Sequence, residues 1–201
     1  MTGKRTRLSP EVRRTQILDA AAQLIVQQGY LPLPMEGLAR VAGTSKALIY
    51  TYFATQYDIF NSLLRRELAG LTIAGLDTAA SVTDFDQAVL LCSMLYFEHV
   101  AQTGPLLYIL ITDRYMAGHF DPDIRQAGEI MLSKLTNAAR GALTFSKKEI
   151  QAAIEMIAVI PQNAGGLVFF TELEPAVARQ ICHTLVLSSL ATLRTIKDGP
   201  V

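Results

Sequence analysis

Along nearly all of the chain, apolar residues recur at three- and four-residue spacing, the period of a helix with one buried face. The first such segment is expected from Pro10 to Gln28, with Ile17, Ala21, Leu24 and Ile25 as its stripe and Gly29 as its stop. A short helix from Pro34 to Ala42 follows, with Pro34 at its first position and Leu38 and Val41 facing inward. After Gly43, Ser45 suits the N-cap of a helix from Lys46 to Phe53. Thr55-x-x-Asp58 is a capping box opening a fourth helix through about Leu71, which would join two domains. From Leu71 to Thr83 the chain reads as a connection.

Asp84 caps a helix through about Ala101 that is apolar nearly all round (Val89, Leu90, Leu91, Met94, Leu95, Phe97), the pattern of a bundle centre. Gly104-Pro105 ends it, and Leu106 to Met116 forms the next helix. Asp123 to Leu143 is amphipathic after a loop at Gly118 to Pro122. Ser146-x-x-Glu149 is a second capping box, opening a helix from Lys147 that Pro161 and Gly165-Gly166 are expected to kink or split. Pro175 starts the last helix, through about Lys197. No strand pattern, internal repeat or sustained heptad is present, so the fold class is all-α.

Within this series the stretch from Pro34 to Phe60 carries the functional information. Two short helices joined through a glycine turn form a helix-turn-helix pattern. At 100° per residue Ile49 and Phe53 fall on one side of the second helix, with Ala47, Leu48 and Thr51 opposite and Lys46, Tyr50 and Tyr52 on the flanks. Small residues facing outward between Lys and Tyr edges suit a DNA major groove, where the edges reach phosphates and the centre meets bases. Thr44 and Ser45 begin the same surface.

The literal residues VAGTSKALIYTYF, followed by ATQYDIF, resemble the DNA-binding segment of the tetracycline-repressor (TetR) family, with a match over roughly residues 11 to 66. Three positions depart from that family's usual pattern. Leu33 stands where a Thr or Ser cap is usual, Gly37 replaces a polar helix residue, and Gln56 replaces a frequent Lys that would contact phosphate. The resemblance implies a helix-turn-helix domain over residues 1–66 and a helical ligand-binding and dimerisation domain over 67–201. It also implies a homodimer acting on a palindromic double-stranded DNA operator, released by a small-molecule effector. A carrier of small molecules or lipids that has lost DNA binding is the alternative, favoured by the outward Leu48 and by Gln56.

Charge placement fits a nucleic-acid partner despite a formal net charge of zero. Residues 1–70 hold nine basic and five acidic side chains, leaving the remainder acidic by the same margin. Lys4, Arg5 and Arg7 in the N-terminal tail could reach a minor groove. The 50% hydrophobic content is high and suggests further burial at a dimer interface or ligand cavity. No apolar run is expected to span a membrane, no signal-peptide core follows the start, and a cytoplasmic location is expected. Cys92 and Cys182 read as reduced packing residues.

Small residues on the last two helices allow close helix approach, and the resemblance assigns those helices to a dimer interface, with Ala158, Gly165, Ser188 and Thr192 as candidates. His99, His119 and His183 lack metal-ligand spacing, and no phosphate loop, nucleophile elbow or carboxylate pair occurs. No catalytic residue, metal or cofactor is therefore expected, and the chain is not read as an enzyme. The resemblance instead implies a pocket between central helices, lined by Tyr96, His99, Tyr108, Tyr115, Met131, Met156 and Asn163. These supply no charged side chain beyond a histidine, which favours a neutral, apolar or aromatic effector.

Overall fold

The structure, a computed structural model, describes residues 9–140 and 142–196. Its helices, in chain order, are α1 Pro10–Gln28, α2 Met35–Val41, α3 Lys46–Tyr52, α4 Gln56–Ile73, α5 Leu76–Ala79, α6 Phe85–Thr103, α7 Leu106–Thr112, α8 Pro122–Ala139, α9 Lys147–Phe170 and α10 Pro175–Leu193. Among the described residues there is no strand, only an isolated bridge between Arg140 and Leu143. The chain divides into two compact units, residues 1–65 with 109–120 and residues 66–108 with 121–201.

In the first unit, α1 buries Ile17, Leu18, Ala21 and Ile25, a stripe set by its helical period. Leu38, Ile49, Phe53, Ile59, Phe60 and Leu63 are also buried. Pro34 is the N-cap of α2, not its first residue, and its side chain makes no capping bond. Val41 is 43% exposed, not inward. It stands about 120° round the helix from Met35, whereas Leu38 and Ala39 flank Met35 on the buried side. Thr55 and Asp58 form the expected reciprocal caps, at 2.7 and 3.3 Å.

Residues 109–120 join this unit through identifiable bonds. One Asp113 carboxylate oxygen accepts from the Leu31 backbone N–H at 2.8 Å, and the other accepts from the Tyr115 N–H at 2.9 Å. That second bond is why α7 stops at Thr112 instead of running to Met116. Asp113 takes an extended conformation and caps a separate 3-10 turn over Arg114–Met116. The Asn61 amide donates to the His119 carbonyl at 2.9 Å.

The second unit is built around α6, which packs against α9, α10, α8 and α5. Asp84 caps α6 by accepting from the Gln87 N–H at 2.8 Å. The helix buries Phe85, Ala88, Val89 and Phe97 in one cluster with Ile150, Ile157, Cys182, Val186 and Leu190. α5 interrupts the expected connection, and α4 continues to Ile73. α8 ends at Ala139, short of Leu143, where Arg140 turns extended. α10 ends at Leu193, and Arg194 pairs with Asp86 at 2.9 Å.

α9 is one unbroken helix, so Pro161 does not split it. Proline costs a backbone bond and crowds the preceding turn. Here Ile157, Pro161 and Gly165 lie on one buried stripe, and burial of that stripe holds the helix together. Gly165 lets α9 touch α6 closely, because a β-carbon there would stand 2.7 Å from Val100 Cβ and 2.8 Å from the Phe97 carbonyl. By length and composition α9 and α10 are apolar enough to cross a membrane, with mean hydropathy of 1.4 and 1.2 over 18-residue windows. That measure alone does not make them spans, since both helices pack against α6 within the second unit. Both helices are apolar on their exposed sides as well as their packed ones.

Candidate nucleic-acid interface

The turn before α3 is possible because Gly43 adopts φ of +59°, a conformation an L side chain rarely takes. Ser45 then caps α3 by accepting from the Leu48 N–H at 3.1 Å. Ile49 and Phe53 are buried and fix the inner side of the helix. Ser45, Lys46, Ala47, Leu48, Tyr50 and Thr51 are exposed, while Thr44 and Tyr52 are half-buried. The Thr51 hydroxyl donates to the Ala47 carbonyl at 3.1 Å, which leaves its methyl group and an oxygen lone pair for an outside partner. Lys4, Arg5 and Arg7 lie outside the described residues.

Arg14 and Glu36, not singled out in the sequence, and Gln56, noted there only as a departure, support this face. The Arg14 guanidinium lies 4.8 Å over the Phe53 ring and donates to Ser62 Oγ at 2.7 Å, tying α1 to the end of α3 and to α4. Gln56 Oε1 accepts from the Leu33 N–H at 2.9 Å, and Leu33 is itself buried. Glu36 meets Lys46 Nζ at 2.7 Å, with both side chains exposed. The hydrogen bond from Lys46 holds the Glu36 carboxyl below its usual range, and the same bond holds the Lys46 ammonium above its own.

The seven pocket candidates do not form one set. Tyr115 belongs to the first unit, where its ring stacks on Tyr57 at 5.0 Å, because the chain breaks at Asp113 and leaves α7 there. Met156 is 67% exposed and lines an open groove between α9 and α10 with Ile157, Leu185, Ser188 and Thr192. Asn163 is exposed on the same helix. Tyr96, His99, Tyr108 and Met131 remain in the second unit. Burial, then the nearby Tyr108, pushes the Tyr96 phenol above its usual range. His99 Nε2 is 2.8 Å from Glu67 Oε2, and these side chains are only 12% and 5% exposed. A buried acid therefore stands beside a candidate set that had none, and it lies on α4, just past the end of the helix-turn-helix resemblance and distant in sequence from the other candidates.

Of the four interface candidates, Ala158, Ser188 and Thr192 are exposed. Gly165 is not available, since it is consumed by the contact between α9 and α6. Instead, Val177, Ile181 and Leu185 form an exposed apolar line along α10, beside exposed Met156 and Val159 on α9. Both cysteines are free.

Among the described residues the chain is all-α, with an N-terminal, Ser-capped helix-turn-helix and a second helical unit. Residues 17–63 match the family described as bacterial regulatory proteins, tetR family. Over that segment, which holds α2 and α3, the chain is similar to the tetR family. It is 23% identical over 132 residues to the HTH-type transcriptional activator FasR of Mycolicibacterium smegmatis, a match covering 66% of this chain and 59% of FasR. It is 36% identical over 73 residues to the HTH-type transcriptional regulator BetI of Rhizobium meliloti, covering 35% of this chain and 36% of BetI. The matches thus span less than two thirds of either relative. A TetR-like transcriptional regulator from Rhodococcus sp. RHA1 shares the fold, with a TM-score of 0.65, 18% identity and coverage of 92% of this chain and 99% of that one.

Proposed function

We propose that the protein is a ligand-responsive transcriptional repressor of the cytoplasm that binds a palindromic operator as a homodimer. The observation that carries this reading is α3, whose inner side is held by buried Ile49 and Phe53 while Lys46, Ala47, Leu48, Tyr50 and Thr51 stand exposed. One seven-residue helix meets few base pairs, so useful specificity needs two copies about 34 Å apart on successive major grooves. The exposed apolar line on α9 and α10 supplies a surface for that pairing. Residues 1–66 serve DNA, and residues 67–201 serve dimerisation and effector binding.

The effector is neutral and largely apolar. Glu67 and His99 already partner one another, and an unpaired ligand charge buried beside them would cost several kcal/mol. An effector that favours a different separation of the two reading helices would release the operator.

Selection of bound duplexes from a random pool, with the full chain as bait, tests this. Recovery of an inverted repeat, and repression of a reporter placed behind it, is the expected result. Failure to retain any duplex at low salt, together with binding of apolar compounds, would replace the regulator with the carrier reading.

A further inference from the structure

We propose that Glu36 acts as an internal stand-in for a DNA phosphate, holding Lys46 in the unbound protein and lowering the chain's affinity for duplex through that one residue. This rests on the DNA-binding reading of α3. Glu36 is the second residue of α2 and Lys46 the first of α3, and the turn at Ala42–Ser45 brings them to 2.7 Å. Between Pro34 and Ala54 the sequence holds one acid, Glu36, and two cations, Arg40 and Lys46. Half of the cationic complement of this stretch is therefore engaged by its sole carboxylate.

The pair is exposed on both sides, with side-chain accessibilities of 48% for Lys46 and 77% for Glu36. Exchange of the carboxylate for a phosphate oxygen thus buries no unpaired charge and meets no packing barrier. Tyr50 is the other titratable group whose charge would bear on Lys46. Gln56 is uncharged, and its amide oxygen accepts from the Leu33 N–H. Duplex binding through Lys46 either breaks the Glu36 bond or brings a phosphate beside the carboxylate that shares the ammonium, and in both cases the carboxylate faces the phosphates. Both effects oppose binding, and both depend on ionic strength.

The test uses the full chain and a mixed-sequence duplex about three helical turns long, with affinity measured by fluorescence anisotropy over a salt series. Glu36→Gln should bind roughly three- to tenfold more tightly at low salt, with a salt slope steeper by up to about one. Lys46→Gln should bind more weakly than the parent, and in that background Glu36→Gln should lose most of its gain. Glu36→Ala should repeat the Gln result, which separates the charge from the hydrogen bond. An unchanged affinity and slope for Glu36→Gln, while the parent binds, overturns the inference and leaves the regulator reading standing. A gain that persists in full without Lys46 also overturns it, since Glu36 would then act as a diffuse charge. If no variant binds duplex at low salt, the DNA-binding reading falls and this inference falls with it.

Discussion

Leu33, Gly37 and Gln56 stand out in the sequence as three separate substitutions, and in the structure they are related to their neighbours. Leu33 is buried, so its N–H needs an acceptor inside the protein, and Gln56 supplies one from the start of α4. A lysine at position 56 could not accept that bond. Gly37 leaves room for the Pro34 ring, which a β-carbon would approach to 3.3 Å. Periodicity reveals none of this, because it reports which side of a helix is apolar and not which distant polar atom serves a buried N–H. The cysteines were legible, because a lone thiol in an apolar stretch has one ordinary role. Burial pushes both the Cys92 and Cys182 thiols up to about 11, so thiolate is scarce at pH 8. Iodoacetamide at that pH should label the folded protein about two orders of magnitude more slowly than the urea-unfolded chain. Rapid labelling of either cysteine, read by mass spectrometry, would contradict that burial.

Helix starts were easier to read than helix ends. Ser45, Thr55, Asp84 and Ser146 each announce a start through a side-chain oxygen that satisfies a free N–H, and all four do so. The end of α7 is set by Asp113, which caps the next turn at Tyr115 while its other oxygen accepts from Leu31, and α10 ends beside the Arg194–Asp86 pair. α9 was misjudged for a related reason: Pro161 and Gly165 are breakers by local propensity, yet both lie on the buried stripe. The adjacent glycines of α9 now separate into two roles. Gly165→Ala should lower stability by about 1–3 kcal/mol, because the new methyl group meets Val100 and the Phe97 carbonyl. Gly166→Ala meets nothing within 4 Å and should gain about 0.5–1 kcal/mol from reduced backbone freedom in the unfolded chain. Urea titrations of the two variants compare them directly, and equal midpoints would refute the close approach of α9 to α6.

At the scale of the whole molecule, assembly through α9 and α10 is the step on which the regulator reading depends. The sequence drew attention to small residues there, and Gly165 shows why that signal was ambiguous: a close helix contact can be spent within one chain. The exposed line of Val177, Ile181 and Leu185, at four-residue spacing, is the better indicator. It was hidden because α10 is apolar on its buried side too, so no amphipathic contrast marks the outer one. A stable homodimer needs about 800 Å² from each partner, which two long helices can supply. Ser188 is exposed in the open groove between them, so Ser188→Arg should leave each chain folded. In the assembly the guanidinium would be desolvated without a partner, and the dimer dissociation constant should rise at least about tenfold. Sedimentation should then show monomer at concentrations where the parent is dimeric, and affinity for a selected palindrome should fall in step, although residues 1–66 are untouched. A Ser188→Arg protein that remains dimeric, or that binds the full palindrome tightly as a monomer, would remove α9 and α10 from the interface and with them the paired reading helices.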